Sequence, residues 1–245
     1  MKNYSYIGIS FVILIFGIIV VPKIIDRINE REVVSSNRSD GQEERASEKV
    51  ELEYIMVNGE KKKVPAFEFI DQHGDTITNK DYDGKVYIAE FFFSTCPTIC
   101  PIMKENLVQV QDVFGENDDF GIASFSIDPQ HDTPEVLKEY AALNGITHPN
   151  WHLMTGEREE IYDLANSGFN IYAGEDENAE GGFAHSGYFA LVDKEGYIRS
   201  RKDRHGNPII YYRGSVPRKS IVEPGEEEPQ IDILIADAKK LVNDK

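Results

Sequence analysis

The apolar positions of this chain fall into two regimes. From Tyr4 to Val21, 18 residues carry no charge; at about 1.5 Å per residue a helix of that length reaches ~27 Å, close to the ~30 Å of bilayer hydrocarbon. A membrane anchor is therefore expected over residues 1–25. No A-x-A-like cleavage site follows in Ile19-Val20-Val21-Pro22-Lys23, so the anchor is expected to be retained. Lys23, Arg27 and Arg31 follow the span while Lys2 and the amino terminus precede it, and charge alone does not set its orientation. Residues 26–51 are polar and charged, too poor in apolar surface to offset their ordering entropy, and read as a tether.

From Leu52 the apolar residues return in short runs separated by turn signals, which predicts one folded domain over 52–245. Val64 to Asp71 alternates like an early strand. Lys85 to Ser94 is a β-branched and aromatic run suited to a buried central strand. A helix is expected from Pro97 to Phe114, with the proline in the first turn, followed by a strand over Phe120 to Ile127. Asp132-Thr133-Pro134-Glu135 reads as the cap, proline and acidic first turn of a helix to about Leu143. Further elements are expected at Trp151 to Met154 (strand), Glu157 to Ala165 (helix) and Ser186 to Val192 (strand). Asp193-Lys194-Glu195-Gly196 is expected to turn into Tyr197-Ile198-Arg199, and Ile231 to Val242 to form an amphipathic helix. The order is that of an α/β domain with a central sheet flanked by helices. Arg201 to Arg218 and the acidic connector from Glu223 to Pro229 read as decoration.

Composition narrows the partners. A formal charge of -17 over 245 residues repels nucleic acid and anionic membrane surfaces, leaving cationic ligands or basic protein faces.

The chemistry is expected at the two cysteines, Cys96 and Cys100, where the aromatic strand meets a helix start. Residues at i and i+4 share a helix face, so the pair can close a disulfide or grip one metal ion. A thiol at a helix N-terminus is favoured as thiolate, the form that ligates metal and attacks disulfides. Cys96 would hold that place and Cys100 one turn in. A third soft-metal ligand would come from His73, His131, His148, His152, His185 or His205. His185 stands out, because Gly181-Gly182-Phe183-Ala184-His185-Ser186-Gly187 places it in a glycine-rich loop before an expected central strand.

Cys96-Pro97-Thr98-Ile99-Cys100-Pro101 after an aromatic strand, Ser126-Ile127-Asp128-Pro129-Gln130-His131-Asp132-Thr133-Pro134, and His185 before Phe189-Ala190-Leu191-Val192 together resemble the Sco/SenC family of copper chaperones. The resemblance covers roughly residues 52–244. It implies a thioredoxin-like fold held by one N-terminal transmembrane helix, with the domain on the periplasmic, extracytoplasmic side. It implies one copper, Cu(I) or Cu(II), on Cys96, Cys100 and His185, with thiolates suited to Cu(I) and imidazole to both oxidation states. The implied role is maturation of the CuA centre of cytochrome c oxidase, by copper delivery, by reduction of the target's cysteines through the redox-active pair Cys96 and Cys100, or both. The implied partners are the oxidase subunit carrying CuA, an upstream copper donor and a thiol reductant. A metal-free thiol-disulfide oxidoreductase is the alternative, and a peroxidase with a sulfenate on Cys96 a weaker one. Ala184 stands where many relatives carry Asp, so His185 needs another orienting partner. Asp128 and Asp132 would shape the site electrostatically, or Asp132 would only cap the next helix.

Overall fold

A computed structural model describes residues 51–176, 178–202, 208–221, 225 and 227–244. The expected anchor over 1–25, nearly all of the tether over 26–51, His205 and part of the acidic connector lie outside the described residues. Among the described residues no helix is long and apolar enough to cross a membrane.

The chain runs β1 (Glu53–Tyr54), β2 (Met56–Val57), β3 (Glu60–Lys61), β4 (Glu68–Asp71), β5 (Thr76–Thr78), a short 3-10 helix (Asn79–Tyr82) and β6 (Val86–Phe92). Then come α1 (Cys100–Phe114), β7 (Phe120–Ser126), α2 (Pro134–Asn144), β8 (Trp151–Thr155) and α3 (Arg158–Asp163), which widens into a π-helical turn (Leu164–Phe169). The last third holds β9 (Ala173–Glu175), β10 (Phe183–His185), β11 (Tyr188–Val192), β12 (Ile198–Ser200), β13 (Tyr212–Arg213) and α4 (Ile231–Asn243).

The main sheet has the order β1-β12-β11-β6-β7-β8-β4-β5, and β13 pairs with β11. Strands β6, β7 and β8 are parallel, in register from Val86↔Phe120 to Phe92↔Ser126, and β11 lies antiparallel on the other side of β6. All seven residues of β6 and of β7 are buried. Both faces of these strands are thus covered, which is why they read as continuous apolar runs without alternation. The site grows from the C-terminal end of β6, the middle of this sheet.

Three expectations need correction. Helix α1 begins at Cys100, with Ile99 as its N-cap, and Pro101 takes the first-turn role assigned to Pro97. Cys96 therefore lies in the turn ahead of the helix and does not share a helical face with Cys100. Asp132 is not the cap of α2: Thr133 is, its hydroxyl accepting from Val136 N at 3.4 Å. The described part of 201–218 is structural, because Arg201 Nε (2.7 Å) and the Tyr212 hydroxyl (2.7 Å) both donate to buried Asp237 on α4.

His148, ahead of β8, gives the domain a pH dependence. Its Nδ1 accepts from Asn150 N at 3.1 Å, while its Nε2 is buried without a hydrogen-bond partner. Desolvation lowers its pKa, so the unfolded chain takes up this proton before the folded one does. Stability from this group is complete above the unfolded value of about 6.5 and is lost as pH falls below it. In urea unfolding at pH 7 and pH 5, His148→Asn, whose amide oxygen replaces Nδ1 as acceptor, is expected to show a smaller loss than the parent; an equal loss would exclude this contribution.

Candidate metal centre

After β6 the chain turns sharply, Cys96 N donating to Phe93 O at 3.2 Å, and re-enters as α1. Cys96 and Cys100 are both free and buried. His185 Nε2 lies 3.2 Å from Cys100 Sγ and 3.9 Å from Cys96 Sγ. The two sulfurs and one imidazole nitrogen all fall within 4.8 Å of one another, the one such group of metal-capable side chains among the described residues.

The two thiols differ in chemistry. A hydrogen bond from Cys100, then contacts with His185 and with the Thr98 hydroxyl at 3.5 Å, hold the Cys96 thiol far below its ordinary pKa. The same interaction in reverse, joined by burial, pushes Cys100 up. The pair thus shares one proton, with Cys96 as the thiolate and Cys100 as the thiol.

His185 arrives on β10, which pairs with β9 as a short hairpin outside the main sheet. The expectation of a loop is corrected to a strand end. Aromatic packing fixes the hairpin: the Phe93 ring lies 5.1 Å from Phe183 and edge-on to His185 at 5.7 Å. Gly181, at φ +89°, touches the same ring, and a Cβ there would stand 2.9 Å from Phe93. The orienting hydrogen bond expected to replace the missing Ala184 carboxylate is absent, because His185 Nδ1 is buried without a partner. Packing takes its place.

Two supports of the turn were not read from the sequence. Buried Asp132 accepts from Ser94 N (3.0 Å), from the Ser94 and Ser126 hydroxyls, and from His131 Nδ1 (2.9 Å), tying the start of α2 to the residues before Cys96. On the other side Asn106 of α1 donates to Gly214 O (2.8 Å) and Val216 O (2.9 Å) and accepts from Arg218 N (3.0 Å). That strap lies against Gly187, where a Cβ would meet Ser215 at 2.6 Å and Ile99 at 3.3 Å. Single Ser and Asn residues give no periodic signal, so nothing in the pattern marked them. The remaining described histidines have other work: His152 bonds buried Asp71 at 2.8 Å, His131 bonds Asp132, His148 packs under Phe120, and His73 donates its backbone N–H to Asp71.

The SCO1/SenC family model matches residues 56–214. A SCO1 protein homolog of Bacillus subtilis (strain 168) is 34% identical over 145 residues, 58% of this chain and 74% of that protein. A SCO1/SenC family lipoprotein from Bacillus anthracis superposes with a TM-score of 0.60 at 29% identity, covering 74% of this chain and 95% of that one. BsSco, described as a member of the Sco family of cytochrome c oxidase assembly proteins with a disulfide switch, gives 0.59 at 29%, covering 75% and 95%. With its CxxxC turn, distal histidine and thioredoxin-like mixed sheet, the chain belongs to the SCO1/SenC family.

Proposed function

We propose that this protein is a copper metallochaperone that serves assembly of the CuA centre of cytochrome c oxidase, with copper as its cargo, held by Cys96, Cys100 and His185. The observation that carries the reading is the convergence of two sulfurs and one imidazole nitrogen within 4.8 Å. Two thiolates and one imidazole suit Cu(I), and three ligands leave a side from which a recipient can take the ion. One proton is already absent from the pair, so loading has to displace only the one on Cys100. The description of BsSco as an oxidase assembly protein supports the oxidase subunit carrying CuA as recipient. The anchor expected over 1–25, with the domain on the extracytoplasmic side, would keep the site at the membrane where that subunit resides.

A second activity of the same site is reduction of the recipient's cysteines. Its support is the asymmetry of the pair, a thiolate nucleophile beside a buried thiol that can resolve the mixed disulfide. Anaerobic titration of the reduced protein with Cu(I) against a chromophoric chelator is expected to show one ion retained per chain; no retention would overturn the chaperone reading and leave thiol reduction standing.

A further inference from the structure

His185 has no side-chain partner to aim it: Nε2 faces the two sulfurs, and Nδ1 is buried without a hydrogen bond. In most ligating histidines a bond to the second ring nitrogen sets the ring. Here the ring follows its packing against Phe93 and the backbone that carries it. That backbone is β10, paired with β9 in a two-stranded sheet apart from the main one. A two-stranded ribbon is marginal by itself, so whatever holds β9 holds His185.

One amide side chain does so. Ala173 is the register partner of His185. Ser186 N donates to Tyr172 O and Asp176 N to Gly182 O, both at 3.0 Å, so the alternation of the ladder makes Ala173–His185 a pair that exchanges no bonds. The N–H and C=O of Ala173 therefore point away from β10. Ala173 is 2% exposed, and these two groups need partners within the protein. Asn166 supplies both: its Nδ2 donates to Ala173 O at 2.8 Å, and its Oδ1 accepts from Ala173 N at 3.2 Å. The amide stands where a third strand would pair.

Asn166 is itself held in place. It lies in the π-helical turn Leu164–Phe169, where α3 widens. Its Nδ2 also donates to Tyr162 O at 2.9 Å, which fixes the plane of the amide. The Tyr162 hydroxyl donates to Ile127 O at 3.0 Å, one residue beyond β7. Lys62 Nζ donates to Ser167 O at 2.8 Å and to Asn170 Oδ1 at 3.2 Å, on the same turn. A path from the main sheet to the imidazole runs through Ile127, Tyr162, Asn166 and Ala173 to His185. The Arg158–Glu175 ion pair also ties α3 to β9, but the Glu175 side chain is 56% exposed and a surface pair of this kind contributes little.

We propose that Asn166 is the positioning residue for His185: by bonding both backbone groups of Ala173 it sets where Nε2 stands against the two sulfurs. This rests on the copper reading above, with His185 as a ligand. Asn166 does not touch the ion, and it acts through the imidazole alone.

The test is Cu(I) affinity of the reduced protein by chelator competition, with the Cu(II) absorption spectrum, for the parent, Asn166→Ala, Asn166→Asp and Arg158→Gln. The two Asn166 variants are also made in the His185→Ala background. Asn166→Asp keeps the size of the side chain and an acceptor for Ala173 N, but as a carboxylate it cannot donate to the Tyr162 and Ala173 carbonyls. Both Asn166 variants are expected to weaken Cu(I) binding about 10-fold, the lower end for a group that supports a ligand, and to move the Cu(II) spectrum toward that of His185→Ala. In the His185→Ala background neither is expected to lower affinity further, since a residue acting through the imidazole is silent once it is gone. A merely structural role would weaken binding equally in both backgrounds. Arg158→Gln is expected to match the parent. Parental affinity in either Asn166 variant, an equal loss with and without the imidazole, or as large a loss in Arg158→Gln overturns the proposal. No Cu(I) retained by the parent, or no effect of His185→Ala alone, would instead sink the copper reading on which it rests.

Discussion

Cys96→Ser and Cys100→Ser are each expected to abolish the thiolate-to-copper charge-transfer absorption of the Cu(II) form. Each is also expected to lower Cu(I) affinity by more than the roughly 10- to 100-fold that loss of a ligand's outer partner costs. A serine hydroxyl at either position keeps the shape but stays protonated at neutral pH and is a hard donor. His185→Ala leaves both sulfurs and is expected to weaken Cu(I) binding by about 100-fold while changing the Cu(II) spectrum, since imidazole supports both oxidation states. The variants separate cleanly from misfolding. The hairpin is held by Phe93 against Phe183 and Gly181, and the turn by Asp132, so removing the imidazole takes away no hydrogen bond other than those to the two sulfurs. A charge-transfer band persisting in either cysteine variant, or unchanged affinity in His185→Ala, would remove joint ligation.

What the sequence revealed and what it hid follow from how far each feature depends on chain neighbours. The central strands were legible because burial on both faces leaves an unbroken apolar run, as in Val86–Phe92. His185 was legible through its glycines, of which Gly181 does need its positive φ and its lack of a Cβ. The helix start was misplaced by three residues because two prolines, Pro97 and Pro101, both suit a first turn, and local preference does not choose between them. The choice is made by the fold, which needs Cys96 in a turn beneath the hairpin. The role of Asp132 was hidden because a carboxylate before Thr-Pro reads equally as a cap; only the return of α2 beside Ser94 makes it an anchor.

Asp132→Ala is expected to be the most destabilising single change near the site. Its carboxylate is wholly buried and serves four donors: Oδ2 takes the Ser94 N–H and the Ser126 hydroxyl, and Oδ1 takes the Ser94 hydroxyl and His131 Nδ1. Alanine strands the Ser94 N–H, which cannot rotate to another acceptor, and leaves two hydroxyls without theirs. At about 1–3 kcal/mol for each unmet buried group, and with hydroxyl rotation recovering part, a loss of roughly 3 kcal/mol is expected. For a domain of this size that lowers Tm by about 6–12 °C. Asp132→Asn is expected to cost far less. Its amide oxygen can occupy the Oδ2 position and keep the Ser94 N–H and the Ser126 hydroxyl, while its NH2 meets a serine oxygen and a neutral imidazole, both able to accept. The Asp132 hydrogen bond holds the His131 pKa above its ordinary value, so His131 should titrate at lower pH in both variants, followed by NMR. Because Ser94 lies two residues before Cys96, the loosened turn in Asp132→Ala should also weaken Cu(I) binding about 10-fold, the lower range for an outer partner. Thermal unfolding and copper competition on the two variants decide the matter: equal Tm for Ala and Asn would mean that Asp132 acts through charge alone, and the hydrogen-bonded anchor would have to be given up.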